Sequence, residues 1–199
     1  MSDELHGVAI VGMAGRFPKA DSIGQFWENM VNGEECTREL TLEEIIASGI
    51  DRKIASDPNY IRRGALLENI DLFDASFFDF LPADASLLDP QIRMFLECVQ
   101  HALDDAGCDP DRYDGAIGVY AGAGLNNYLL KNLMKQSGTF EDVMDFQKII
   151  SNDKDFLSTQ VSYKFNLSGP GLTVQTACST SLVAIQLAYQ SLLTYQCDV

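Results

Sequence analysis

Val174-Gln175-Thr176-Ala177-Cys178-Ser179-Thr180-Ser181-Leu182 is the stretch whose residue types and spacing offer chemistry. A short β-type run, Leu172 to Thr176, leads into Ala177-Cys178. The hydroxyl cluster Ser179, Thr180 and Ser181 then opens a segment that reads as helix to about Leu193. A cysteine at such a strand-to-helix turn is held at a defined point. It also sits at the positive end of a helix dipole, which favours thiolate over thiol. The same position suits a buried structural thiol, because unpaired cysteine is among the most buried residue types. On the residues alone, nucleophile and core thiol both stand.

Other chemistry is sparse. Cys36, Cys98, Cys108, Cys178 and Cys197 are odd in number and scattered, with no C-x-x-C pair. That fits reduced thiols in a cytosolic protein and supplies no zinc framework. His6 and His101 are the two histidines. Gly12 to Pro18 holds two glycines but neither G-x-G-x-x-G nor a Walker lysine, so it does not cradle phosphate.

The elements that must position Cys178 follow from periodicity and end signals. Val8-Ala9-Ile10-Val11-Gly12 reads as a buried strand. Ser22 with Gln25 three residues on makes a capping box. Ile23, Phe26, Trp27, Met30 and Val31 follow at helical spacing, and Gly33 stops the helix. Thr41 and Glu44 repeat the signature, with Gly49 as the stop. Asp57 to Tyr60 is a turn, and Arg62 to Leu67 reads as a strand. Phe73, Phe77, Phe78 and Phe80 stand among acids, as core contacts under a long surface connection. Asp89 followed by Pro90 caps a helix that carries Ile92, Phe95, Leu96, Val99 and Leu103 on one face. His101 falls on the opposite, solvated face, and Gly107 is the stop. Ala116 to Gly122 reads as a second strand. Residues 125–150 read as irregular helix broken at Ser137-Gly138, and Asp153 to Phe165 as another helix. Strands that alternate with helices, and that are short and apolar, indicate an α/β protein with a largely buried sheet.

The totals bound the function class. A chain of 199 residues, 46% hydrophobic and 10% aromatic, buries a core without staples. Its net charge of −15 repels nucleic acid and anionic membrane surfaces. No apolar run is long enough to span a bilayer, and the first six residues are polar and acidic, unlike a secretory leader.

Four features in series carry a resemblance: Val8 to Pro18, Asp89-Pro90-Gln91-Ile92-Arg93-Met94-Phe95-Leu96-Glu97, the Asp104-Asp105-Ala106-Gly107 helix end, and Val174 to Leu182. Together they resemble the N-terminal part of a β-ketoacyl synthase, the ketosynthase domain of modular type I polyketide synthases. Phe26-Trp27 with Gly33, and Gly169-Pro170, fit the same pattern. The resemblance covers residues 7–199, with 1–6 left as a short polar N-terminus. It implies a thiolase-like layered α/β fold, present as its N-terminal half with a family insertion and with the C-terminal half missing.

It also implies that Cys178 is the nucleophile that accepts an acyl chain from a phosphopantetheine thioester. A decarboxylated malonyl-type extender on an acyl carrier protein then attacks that acyl group in a Claisen condensation. The Cys178 backbone N–H suits half of an oxyanion hole, since helix N-termini leave such donors free. By the same resemblance no cofactor is bound: the phosphopantetheine belongs to the carrier partner. The complete domain is expected to be a cytoplasmic homodimer, with Leu172 to Thr176 near the two-fold axis.

The chain departs from the family pattern at Leu81-Pro82-Ala83-Asp84-Ala85-Ser86, where Ser-Pro-Arg-Glu-Ala is usual. Neither histidine lies in a family histidine motif, so decarboxylation has no evident catalytic group. The apolar face that a second half would cover is therefore expected to be exposed, self-associated or disordered. The alternative to an enzyme is a catalytically incomplete unit that serves only as an interaction or structural element.

Overall fold

The computed structural model describes residues 7–133 and 143–199. The polar N-terminus over residues 1–6, His6 with it, and the expected break at Ser137-Gly138 lie outside the described residues. The chain forms two compact units, Ala14–Ile70 and the remainder.

The smaller unit is built from locally capped elements. In α1 (Ile23–Asn32) the Ser22 hydroxyl accepts from the Gln25 N–H, and Gly33 closes the helix with φ 66°. The Gln25 side chain reaches back to the Asp21 N–H at 3.2 Å, one residue before the cap itself. Phe17 stacks on Phe26 with ring centroids 4.1 Å apart. The rest of the apolar face of α1 is open, and Trp27 is 63% exposed. β1 (Arg38–Glu39), which the sequence did not announce, pairs antiparallel with a two-residue β2 (Arg63–Gly64) inside the expected strand. α2 (Leu42–Ala47) carries the complete Thr41/Glu44 capping box and buries Ile45. The Arg38 guanidinium grips the Glu44 carboxylate through both oxygens, at 2.6 and 3.1 Å. α3 (Arg52–Ala55) follows, capped by Asp51.

The larger unit is layered around a parallel strand pair. It contains α4 (Pro82–Leu87), α5 (Pro90–Ala106), β3 (Val119–Ala121), α6 (Val143–Ile150), α7 (Leu157–Lys164), β4 (Gly171–Thr173) and α8 (Thr180–Leu193). β3 and β4 run parallel, with Val119 opposite Gly171 and Ala121 opposite Thr173. Side chains alternate across a strand. Val119 and Ala121 therefore pack with Ile92 and Leu96 of α5 and Leu157 and Val161 of α7 in one buried cluster. Tyr120 takes the other face, where its hydroxyl donates to Ser191 Oγ of α8 at 2.6 Å. Helices thus cover both sides of β3, and a parallel pair buried in this way needs the apolar character it has. Phe78 joins the cluster and Phe73 and Phe80 pack against it, whereas Phe77 is exposed. Three of the four phenylalanines behave as core.

Two sequence expectations are corrected. Val8 to Gly12 is not a buried strand: it has no ladder partner among the described residues, and Ile10 is 80% exposed. Its position is fixed instead against α5. A Cβ on Gly12 would lie 2.4 Å from the Ala102 carbonyl oxygen, and the Met13 N–H donates to Asp105 Oδ2 at 2.8 Å. The cysteine strand is also shorter than Leu172 to Thr176. Only the Val174 N–H, donating to the Ala121 carbonyl at 2.7 Å, continues the pairing beyond β4.

Candidate active site

Three residues after that last bond the chain turns sharply. Residues Ala177–Ser179 form one 3₁₀ turn, and α8 begins at Thr180. Thr176 is neither helical nor extended (φ −131°, ψ 34°), and Ala177 is left-handed at φ 52°. A left-handed alanine costs about 1–3 kcal/mol and persists only where its surroundings over-determine it. Here they do. The Thr176 N–H donates to Thr180 Oγ1 at 3.0 Å, Ser179 Oγ donates to the Thr176 carbonyl at 2.8 Å, and the Ser179 N–H donates to the same carbonyl at 3.2 Å. Thr180 Oγ1 and Ser179 Oγ thus act as staples of the turn. No side chain caps α8.

A strained strand-to-helix elbow of this kind lifts its central side chain out of the fold. Cys178 is exposed, and its N–H has no acceptor among the described residues. Among the described residues Cys178 is therefore not packed as a core thiol. Cys197 is the contrast: it is buried, and burial pushes its thiol pKa up, against a smaller lowering from the Tyr120 hydroxyl.

The floor of the elbow is the backbone that leaves β3. A Cβ on Gly122 would lie 2.2 Å from Thr180 Cγ2 and 2.4 Å from the Val174 carbonyl oxygen. Only glycine lets the elbow descend this far onto the sheet. Beyond it, the Gln175 amide faces Ala123; assigned with its nitrogen toward the Ala123 carbonyl, the orientation that pairs both atoms, it donates to that carbonyl at 3.1 Å and accepts from the Ala123 N–H at 3.2 Å. Gly124 is held from the start of α5, its N–H donating to Gln91 Oε1 at 2.7 Å. Gln91 Nε2 in turn donates to Asp89 Oδ2 at 3.1 Å. Asp89 is buried, caps α5 through the Gln91 N–H, and donates its own N–H to Ser151. Ser158 Oγ and Thr173 Oγ1, 2.9 Å apart, fasten α7 to β4 just ahead of the elbow.

The predicted nucleophile Cys178 stands on the turn between β4 and α8, and His101 is exposed on α5, on the solvated face the sequence assigned it. Sequence reasoning missed Gln91, Gly122 and Gln175. The Asp89-Pro90-Gln91 motif signalled a helix start, but nothing local indicated that the Gln91 amide reaches residue 124. The buried Asn126–Asn152 pair was missed too. Asn126 Nδ2 donates to the Asn152 carbonyl at 2.8 Å, and Asn152 Nδ2 donates to the Leu87 and Lys148 carbonyls. That pair ties the stretch just after β3 to the segment ahead of α7. Among the described residues no three acidic, His or Cys side chains are grouped to hold a metal ion, and no helix is long and apolar enough to cross a membrane. On α8, Leu182 and Ile185 are exposed.

Residues 6–199 match the family model described as the β-ketoacyl synthase N-terminal domain. The chain is 47% identical over its full length to a phenolphthiocerol/phthiocerol polyketide synthase polypeptide of Mycobacterium tuberculosis, 14% of which it covers. It is 33% identical over 98% of its length to polyketide synthase PksL of Bacillus subtilis, covering 4% of that protein. Among solved structures, ketosynthase twelve of the bacillaene polyketide synthase of Bacillus amyloliquefaciens superposes with a TM-score of 0.80 at 31% identity, over 95% of this chain and 33% of that one. The module 6 ketosynthase of the Bacillus subtilis bacillaene synthase gives 0.77 at 31% identity, over 95% and 30%. The thiolase-like layered fold is that of these neighbours. The chain spans about a third of each ketosynthase and a smaller share of the curated relatives.

Proposed function

The chain belongs to the β-ketoacyl synthase family, and from that premise we propose that it forms the acyl-accepting part of a polyketide ketosynthase. The observation that carries the reading is Cys178, exposed on a strained elbow with a free N–H beside it. A thiolate there attacks the carbonyl carbon of an acyl thioester. The Cys178 sulfur–carbon bond forms, and the old carbon–sulfur bond breaks. The departing phosphopantetheine thiolate then takes up a proton. Thiolate is both a good nucleophile and a good leaving group, so this exchange is nearly balanced in energy. The Cys178 N–H is oriented by the turn as one donor to the developing oxyanion.

In the condensation that completes the reaction, a malonyl-type thioester loses carbon dioxide. The electron pair left on its α-carbon forms the new carbon–carbon bond to the acyl carbonyl and expels the Cys178 thiolate. The partner of this reading is an acyl carrier protein with its phosphopantetheine arm, and a cytosolic homodimer is the expected assembly of the domain. An acyltransferase of the 3-oxoacyl-carrier-protein synthase type is the corresponding enzyme class. What supports this reading is the family match, together with the geometry of the elbow.

The test is to incubate the protein with an acyl-thioester analogue and locate the added mass. Acylation at Cys178 that is abolished in Cys178→Ala is the expected result. Labelling that persists in the variant would overturn the assignment. A malonyl-thioester decarboxylation assay on the 199-residue chain separates the enzyme from the catalytically incomplete alternative, for which no turnover is expected.

A further inference from the structure

Two glutamines from distant parts of the chain close on one short piece of backbone, and neither belongs to the reacting group. Gln175 makes a two-point bond to Ala123, and Gln91 accepts from Gly124. The next residue back, Gly122, is in contact range of Thr180 and Val174, the residues that bracket the elbow. Gln91 is itself oriented by Asp89, a buried carboxylate whose backbone N–H is fixed by Ser151. A path of hydrogen bonds therefore runs from the start of α5 to the floor under Cys178.

We propose that Gln91 and Gln175 are positioning residues for Cys178: they clamp Ala123 and Gly124, and so set the height of the floor on which the strained elbow rests. The physical reason is the Ala177 conformation. A left-handed non-glycine residue relaxes when its support moves, and relaxation would carry the thiol and the Cys178 N–H away from their common target. A misplacement of about 1 Å can slow a reaction by about a hundredfold. The two amides do different work. Gln91 contributes one acceptor and Gln175 contributes a donor and an acceptor, so their conservative replacements should differ. For its acyl-transfer arm this inference rests on the ketosynthase reading.

The experiment compares the chain with its Gln91→Ala, Gln91→Glu and Gln175→Ala variants. Two reactions at Cys178 are followed by mass spectrometry: acylation by an acetyl thioester of N-acetylcysteamine, and alkylation by iodoacetamide at one fixed pH. Thermal unfolding and alkylation of Cys36 and Cys108 are recorded alongside. Gln91→Ala and Gln175→Ala are expected to lower the limiting acylation rate at least about tenfold, with the half-saturating thioester concentration little changed. Gln91→Glu keeps an oxygen for the Gly124 N–H but replaces the donor to Asp89 with a second carboxylate, so it is expected to recover little of that loss. Cys36 and Cys108 should react as before.

Equal limiting rates in all variants, Gln91→Glu behaving as the unaltered chain, or Cys36 and Cys108 becoming reactive in step with Cys178 would each overturn the inference. If Gln91→Ala does not fold, Gln91→Glu and Gln175→Ala still carry the comparison. If Cys178 in the unaltered chain is alkylated but not acylated, the acyl-accepting role proposed for this chain fails. The inference is then read from alkylation alone, with a severalfold change at Cys178 expected in both alanine variants and in Gln91→Glu.

Discussion

The starts of α5 and α8 solve one problem in opposite ways. Each helix must deal with backbone N–H groups that its first turn cannot satisfy. At α5, Asp89 is buried, accepts from Gln91 and is followed by proline, which has no N–H to satisfy. At α8 no side chain caps the helix, the approach is a 3₁₀ turn through a left-handed alanine, and Cys178 stands exposed. The closed end contributes stability. The open end leaves a donor and a thiol available together, at a cost in local strain. The contrast teaches that the two ends are coupled, because the closed one holds Gln91, and Gln91 holds the floor of the open one.

The largest expected break in this contrast is Gly122→Ala. Its methyl would meet Thr180 Cγ2 and the Val174 carbonyl oxygen at distances no real Cβ adopts. Backbone on one side leaves no flexible neighbour to yield, so the elbow must rise. Overpacking of this kind costs about 1–3 kcal/mol, and acylation of Cys178 should fall about a hundredfold, measured in single turnovers against the unaltered chain. Wild-type acylation in that variant would show that the floor does not set the elbow.

Asp89→Ala tests the closed end. Loss of a cap costs about 1–2 kcal/mol, so a melting temperature lower by about 2–8 °C is expected by far-UV circular dichroism. A loss of Cys178 reactivity as large as that of Gly122→Ala would erase the distinction between a stabilising end and a reactive one.

The smallest effect sharpens the comparison from the other unit, where α2 is also closed. The Arg38 guanidinium, and next the Thr41 N–H, hold the Glu44 carboxyl down at about 2, from an ordinary 4.5. A depressed carboxyl contributes stability that is fully present above the ordinary value and lost as pH falls through the folded one. The acid unfolding curves of the chain and of Glu44→Gln should therefore converge below pH about 2 and separate above about 4.5. Both groups are exposed, so the separation should be small and should shrink with added salt.

What was legible in the sequence was whatever is decided within a few residues. The Ser22, Thr41 and Asp89 caps, the Gly33 and Gly107 stops and the cysteine elbow all depend on neighbours along the chain, and all are found in place. Val8 to Gly12 shows the limit. An apolar run predicts a strand only if another strand lies beside it, and periodicity carries no information about partners. β1 escaped for the converse reason: Arg38 and Glu39 have no strand character of their own and pair only because Arg63 and Gly64 come alongside. The elbow's detail was hidden more deeply. Ala177 gives no hint of a positive φ, and the Gln91 and Gln175 amides act over contacts that no window of sequence contains.

The open face of α1 has a consequence for optical work on this protein. Trp27 is the single tryptophan of the chain and already stands largely in water in the folded state. Its emission should be red-shifted before any denaturant is added, and it should change little as the smaller unit unfolds. The larger unit, where acylation would take place, holds no indole at all. Intrinsic fluorescence is therefore nearly blind to the part of the molecule that matters, and a tyrosine or a label on Cys178 is the reporter that would see it.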